Sequence, residues 1–115
     1  MLKKQNRLGR SDALITAIRC GRVTRAPGFL LRTQKTHLPV TRFAVSISQK
    51  AEKSAVKRNR VRRQLYGILR EQIHGIAPGF DCAITVQRDG CALAHKERKK
   101  TFTDLLFRAR LLPHT

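Results

Sequence analysis

Between residues 40 and 48 the side chains alternate, with Phe43, Val45 and Ile47 set against Ala44, Ser46 and Ser48. A period of two places each set on its own face, so this segment predicts a half-buried β-strand. The period then changes. Val61, Leu65, Ile68, Leu69 and Ile73 recur three and four apart, the stripe of an amphipathic helix. Ser54 is its expected N-cap, and Lys57 leaves it without a capping box. Gly67 lies inside that helix at a cost of ~1 kcal/mol relative to Ala, which predicts local softness. The helix is expected to stop near His74 and Gly75, ahead of Pro78. Upstream, Ser11 and Asp12 supply an N-cap and a first-turn acid, Ala13, Leu14, Ala17 and Ile18 an apolar face, and Gly21 a C-cap. Residues 22–28 read as a basic loop containing Pro27, 29–33 as a strand and 34–39 as a turn region. Residues 81–87 form a short apolar run, a second strand signal after the long helix. Residues 94–106 predict a last helix with Phe102, Leu105 and Leu106 inward. Strand, helix and strand across 40–87 make a βαβ unit, for which the general rule is a right-handed crossover. No repeat or linker interrupts the pattern, so residues 1–115 read as a single domain, with 1–10 expected to be a flexible basic arm.

Charge narrows the class of partner. Twenty-five Lys and Arg face seven acids, a formal net charge of +18. The cations run from Lys3 to Arg110 instead of lining one pocket, which favours nucleic acid over a small acidic substrate. No apolar run approaches the ~20 residues that span a bilayer. The basic start leads into no long apolar segment, so no secretory signal is expected. With no Trp and one Tyr, the chain also lacks aromatic anchors for a membrane surface. Cys20, Cys82 and Cys91 are odd in number and fit neither zinc spacing nor a disulfide framework, so small buried or half-buried thiols in a reducing cytoplasm are expected. Asp12, Glu52, Glu71, Asp81, Asp89, Glu97 and Asp104 are scattered singly, and His37, His74, His95 and His114 are dispersed. A nuclease needs a carboxylate cluster or an acid–base pair, so no catalytic or metal-ligating residue is expected here. The residues describe a binder.

The long helix opens with Lys57-Arg58-Asn59-Arg60-Val61-Arg62-Arg63, five cations and one amide in barely two turns. Arg58, Asn59, Arg62, Arg63 and Arg70 are expected to fall away from the apolar stripe. Solvated basic faces usually interleave Glu with Lys, and this one carries almost no acid. Guanidinium forks match phosphate oxygens bidentately. Together with the preceding Phe43-Ala44-Val45-Ser46-Ile47-Ser48-Gln49-Lys50, the run resembles the signature of the bacterial ribonuclease P protein component. That signature is a strand ending in a Ser-x-Ser-x-Lys-like stretch, followed by a helix opening on Arg-Asn-Arg. Weaker agreement is carried by Arg7-Leu8, Gly21, Phe29-Leu30-Leu31 and Gly79-Phe80-Asp81.

The resemblance implies an α+β fold, a small two-layer α/β sandwich in the order αβββαβα, with the family's left-handed βαβ crossover. It implies a protein subunit that binds the catalytic RNA subunit and the 5′ leader of precursor tRNA, while the RNA performs the hydrolysis with bound magnesium. No organic cofactor, membrane or obligatory protein partner is implied. Toward the RNA subunit, Arg58, Asn59, Arg60, Arg62 and Arg63 match the motif, joined by Lys50, Lys53 and Lys57. The family's next arginine and acid fall at Tyr66 and Gly67, where Tyr66 could stack on a base and Arg70 supply a charge one turn on. The leader would run between the first helix and the open face of the sheet. The family's aromatics there fall at Leu14 and Ile18, and a further one at Arg32. Arg22, Arg25, Phe29, Leu31, Lys35, Ser46 and Arg88 complete the expected cleft, which relies on charge more than on stacking. A small ribosomal RNA-binding protein fits the size and composition equally well; the Arg-Asn-Arg helix behind the Ser-x-Ser strand separates the two. An autonomous metal-dependent endonuclease would need the clustered acids that are missing.

Overall fold

The computed structural model describes residues 2–9 and 11–113. Its elements are α1 (Asp12–Cys20), β1 (Arg22–Ala26), β2 (Phe29–Lys35), β3 (Arg42–Ile47), α2 (Ala55–Gln72), β4 (Phe80–Val86), α3 (Arg88–Ala92) and α4 (His95–Arg108), with single 3-10 turns at Lys4–Asn6 and Ile73–Gly75. The four strands form one mixed sheet in the order β1-β2-β4-β3. β1 and β4 run antiparallel to β2, and β3 runs parallel to β4, as a strand pair joined through α2 must. The fold is α+β, with a short α3 that the sequence pattern did not announce.

Residues 22–28 are not a loop. Ala26 pairs with Phe29 across Pro27 and Gly28, so β1 and β2 form a two-residue hairpin. Gly28 has φ +85°, the conformation that the third position of a Pro-Gly turn requires and that a side chain resists. The Pro-Gly pair was the turn signal, masked by the basic residues around it.

Strand alternation assigns the two faces. Phe29 and Leu31 of β2 share a face with Phe43, Val45 and Ile47 of β3 and Cys82, Ile84 and Val86 of β4. This face meets the apolar stripes of α2 (Val61, Leu65, Ile68, Leu69) and α4 (Phe102, Leu105, Leu106), and all these side chains are buried. Phe29 and Phe102 pack with ring centroids 5.7 Å apart. Burying side chains of this size contributes roughly 1.5–3 kcal/mol each, and this layer is the core. The opposite face carries Val23, Arg25, Leu30, Arg32, Ala44, Ser46, Ala83 and Thr85. Helix α1 lies across it over β2 and β4, with Ala17 fully buried. Gly21 lets α1 turn directly into β1, because a Cβ there would sit 2.3 Å from the Ala17 carbonyl oxygen.

The amino-terminal arm is packed, contrary to the flexibility expected for residues 1–10. The Leu8 N–H donates to the Phe43 carbonyl (2.7 Å), and the Asn6 amide donates to the Thr41 carbonyl (2.9 Å). Leu2, Asn6 and Leu8 are buried against the body of the protein. The polar composition hid a two-leucine, one-asparagine anchor. Met1 and Arg10 lie outside the described residues.

Two arginines serve the framework. Arg42 and Asp81, directly opposed on β3 and β4, form a bidentate pair at 2.8 and 2.7 Å, which raises the guanidinium pKa through that hydrogen bond. Arg98 of α4 is buried. It donates to the carbonyls of Gly90 (3.1 Å), Cys91 (2.9 Å) and Leu93 (2.6 Å) and to the Gln64 side chain of α2. Burial lowers its pKa, since only neutral acceptors face it.

Candidate nucleic-acid interface

Helix α2 begins where the Ser54 hydroxyl accepts the Lys57 N–H (3.3 Å), and runs unbroken through Gly67. With Val61, Leu65, Ile68 and Leu69 held in the core, the opposite side of the helix is fixed toward solvent. Asn59, Arg60, Arg63 and Arg70 are exposed there, and Lys57 is exposed in the first turn, nearer the side of the apolar stripe. The Arg62 guanidinium donates to the Asn59 side-chain carbonyl (2.8 Å), so two motif residues are oriented as one unit. Val56, Asn59, Arg62, Arg63 and Tyr66 line a surface hollow of about 470 Å³. Lys50 and Lys53 are exposed in the connection just before the helix. This row of cations is a surface built for phosphate.

Two expected members of that face do something else. Arg58 lies three residues before Val61 and seven before Leu65, on the apolar side of the helix and not away from it. It is half-buried and donates to the carbonyls of Glu52 (2.7 Å) and Lys53 (3.0 Å), bracing the approach to the helix. Tyr66 is only 8% exposed, and its hydroxyl accepts the Val45 N–H of β3 (3.2 Å). Most of its ring is packed, and the remainder forms part of the wall of the hollow shared with Asn59, Arg62 and Arg63.

The expected leader cleft is divided by the fold. Phe29 and Leu31 belong to the core face and cannot line it, because the period of two carries them to the side opposite Leu30 and Arg32. Arg22 shares their face, opposite Thr33. Arg25 and Arg32 are on the open face, on β1 and β2, whereas Ser46 is on β3, and α1 lies over the strands between. Beside Ser46 run Ala44 and Thr85, half-buried and small. At the end of this strip Arg88 donates to the Lys50 carbonyl (3.2 Å), which brings a leader candidate to the loop that opens α2. Leu14 is half-buried, Ile18 is 46% exposed, and Lys35 is exposed at the end of β2. Ala44, Ser46 and Thr85 thus form a strip of small side chains on the open face at the β3 side of the sheet, where α1 packs over β2 and β4, and Arg88 meets Lys50 beyond its end.

The acids are engaged singly. Asp81 is held by Arg42, Glu71 by Lys99 (3.2 Å) and Asp104 by Arg108 (3.2 Å), and Glu52 accepts the Ser54 N–H (3.2 Å). Among the described residues no three His, Cys, Asp or Glu gather as a metal group, and no helix is long and apolar enough to cross a membrane. Cys82 is buried and Cys91 half-buried, and burial pushes both thiols up; Cys20, expected to be buried or half-buried like them, is exposed on the last turn of α1.

The family model described as Ribonuclease P matches residues 2–110. The chain belongs to the ribonuclease P protein family. The ribonuclease P protein component of Synechococcus elongatus is 34% identical over 117 aligned positions, covering 96% of this chain and 95% of that protein. That of Rippkaea orientalis is 36% identical over 81 residues, 70% of this chain and 64% of that protein. Among solved structures, the RNase P protein of Staphylococcus aureus superposes with a TM-score of 0.87 at 16% identity, covering 94% of this chain and 98% of the other. The Thermotoga maritima RNase P protein gives 0.79 at 19%, covering 89% and 96%. At those identities the structures bear on the fold, which is the family's. Arg98 and the docked arm were missed by sequence reasoning, although Arg98 stands four before Phe102 and seven before Leu105, on the apolar side of α4.

Proposed function

We propose that this chain is the protein subunit that assists ribonuclease P in removing the 5′ leader of precursor tRNA. It binds the RNA subunit through the solvent face of α2 and the leader along the strip of Ala44, Ser46 and Thr85. The observation that carries this is the exposed row Arg60, Arg63 and Arg70, with Arg62 oriented by Asn59, on a helix whose other side is locked in the core. A helix already held by the core leaves only the side chains, and not the backbone, to be ordered when a phosphate is met. The strip offers small side chains and a basic end, which suits an unpaired strand held by its backbone.

The hydrolysis is assigned to the RNA subunit, with magnesium held by RNA. The acids of this chain do not fit a metal site of their own, since the best-buried one, Asp81, is already paired with Arg42. The protein's part is to bind, to neutralise phosphate charge and to orient the leader. Free Cys20, Cys82 and Cys91 support a reducing, cytoplasmic setting. The test is reconstitution. Protein, a bacterial ribonuclease P RNA and precursor tRNA are mixed at low magnesium, and 5′ cleavage is expected only when both subunits are present. Cleavage by protein freed of RNA would overturn the division of labour.

A further inference from the structure

The packed arm creates a second feature at the far end of α2. Between Lys3, the segment around Val40 and the end of α2 lies a hollow of about 420 Å³. That is within the ~300–1,000 Å³ of small-molecule sites. Leu2, Val40 and Ile76 give it an apolar floor, and Lys3, Arg70 and His74 stand at its rim. None of the described residues lining it is acidic. Leu2 and Ile76 are buried, and the arm is fixed by Asn6 and Leu8, so the hollow exists before any ligand arrives.

An apolar floor under a cationic rim asks for a ligand that is flat and apolar at one end and anionic at the other. A single unstacked nucleotide has that character. Arginine planes and imidazoles are the side chains on which splayed-out RNA bases stack, and Lys or Arg takes the adjoining phosphate. Position along the fold chooses the RNA. Arg70 lies seven residues beyond Arg63, ~10 Å along the same side of α2, so one continuous strand can pass from the arginine row to the hollow. We propose that this hollow receives one unpaired nucleotide of the ribonuclease P RNA subunit and so fixes the register of the helix on it. The proposal rests on α2 being the RNA-binding face.

The experiment compares four proteins on a bacterial ribonuclease P RNA transcript, by binding affinity across salt and by base-specific chemical footprinting. They are the native chain, His74→Ala, Val40→Phe, and Arg62→Ala with Arg63→Ala, each first checked for native circular dichroism. The native protein should protect an unpaired nucleotide that both hollow variants leave reactive. Making that nucleotide abasic should weaken native binding roughly ten-fold and the hollow variants little, given the usual strength of base stacking. Val40→Phe fills the floor and keeps every charge, so its salt slope should equal the native one. The same protection from precursor tRNA in place of the RNA subunit would move the site to the substrate and overturn the assignment. If the hollow variants match the native protein while Arg62→Ala with Arg63→Ala binds more weakly, the hollow is empty space and the helix reading stands. If no variant differs, both readings fall.

Discussion

Arg98 is the residue on which most depends for its size. One guanidinium satisfies three backbone carbonyls and the Gln64 side chain, tying the 90–93 segment to α4 and α2. Replacing it with Met should cost about 2–4 kcal/mol, because buried carbonyls lose their donors. Arg98→Lys should recover only part of this, since a point-like ammonium cannot span the same acceptors. Urea unfolding of the two variants gives the comparison; equal stability to the native chain would remove the bracing role. The cysteines offer a gentler probe. Cys20 is exposed, while the thiols of Cys91 and Cys82 stay protonated to higher pH than an ordinary thiol. Iodoacetamide at neutral pH should therefore label Cys20 first, Cys91 slowly and Cys82 only on unfolding, as peptide mass spectrometry would show. Arg58 and Tyr66 mark what sequence left hidden. Their chemistry suits RNA, but their partners are the carbonyls of Glu52 and Lys53 and the Val45 N–H, groups whose nearness only the fold decides.

At the level of the element, α2 was legible because two independent signals agreed, an apolar stripe with a three-four rhythm and a serine cap. β1 was not, because its five residues alternate charge with small side chains and bury little. Nor was α3, whose five residues include a glycine. The softness expected at Gly67 has a simple consequence. Beyond the helix's own backbone and the adjacent residues, nothing lies within 4 Å of a Cβ built there, and the helix is continuous. Gly67→Ala should add ~1 kcal/mol, a gain of roughly 4–8 °C in Tm for a domain of this size, measured by thermal unfolding. On the outer face, Arg60→Ala, Arg62→Ala and Arg63→Ala together should leave the fold intact. They should weaken RNA-subunit binding and reduce the salt slope by about 0.7–0.9 for each phosphate that is no longer neutralised. Unchanged salt dependence in the folded triple variant would make this a merely solvated surface.

For the whole molecule, the strip of Ala44, Ser46 and Thr85 is basic at the end where Arg88 meets Lys50 and its own side chains carry no ring, so leader binding there should be salt-sensitive and nearly indifferent to base identity. Phe at Ile18, which is exposed, would add a stacking surface without disturbing the core. Ile18→Phe should raise the holoenzyme's preference for precursor over mature tRNA; an unchanged ratio in the folded variant would place the leader elsewhere. A different consequence follows from how β3 is bordered. Its Phe43 carbonyl is taken by Leu8 and its Val45 N–H by Tyr66, on the margin of the sheet that has no neighbouring strand. Those two bonds close the side on which a stray strand could add, a protection against self-association that a protein waiting for its RNA needs. Removing residues 2–8 should reopen that margin, and light scattering of RNA-free protein should then report growing oligomers where the full chain stays dispersed.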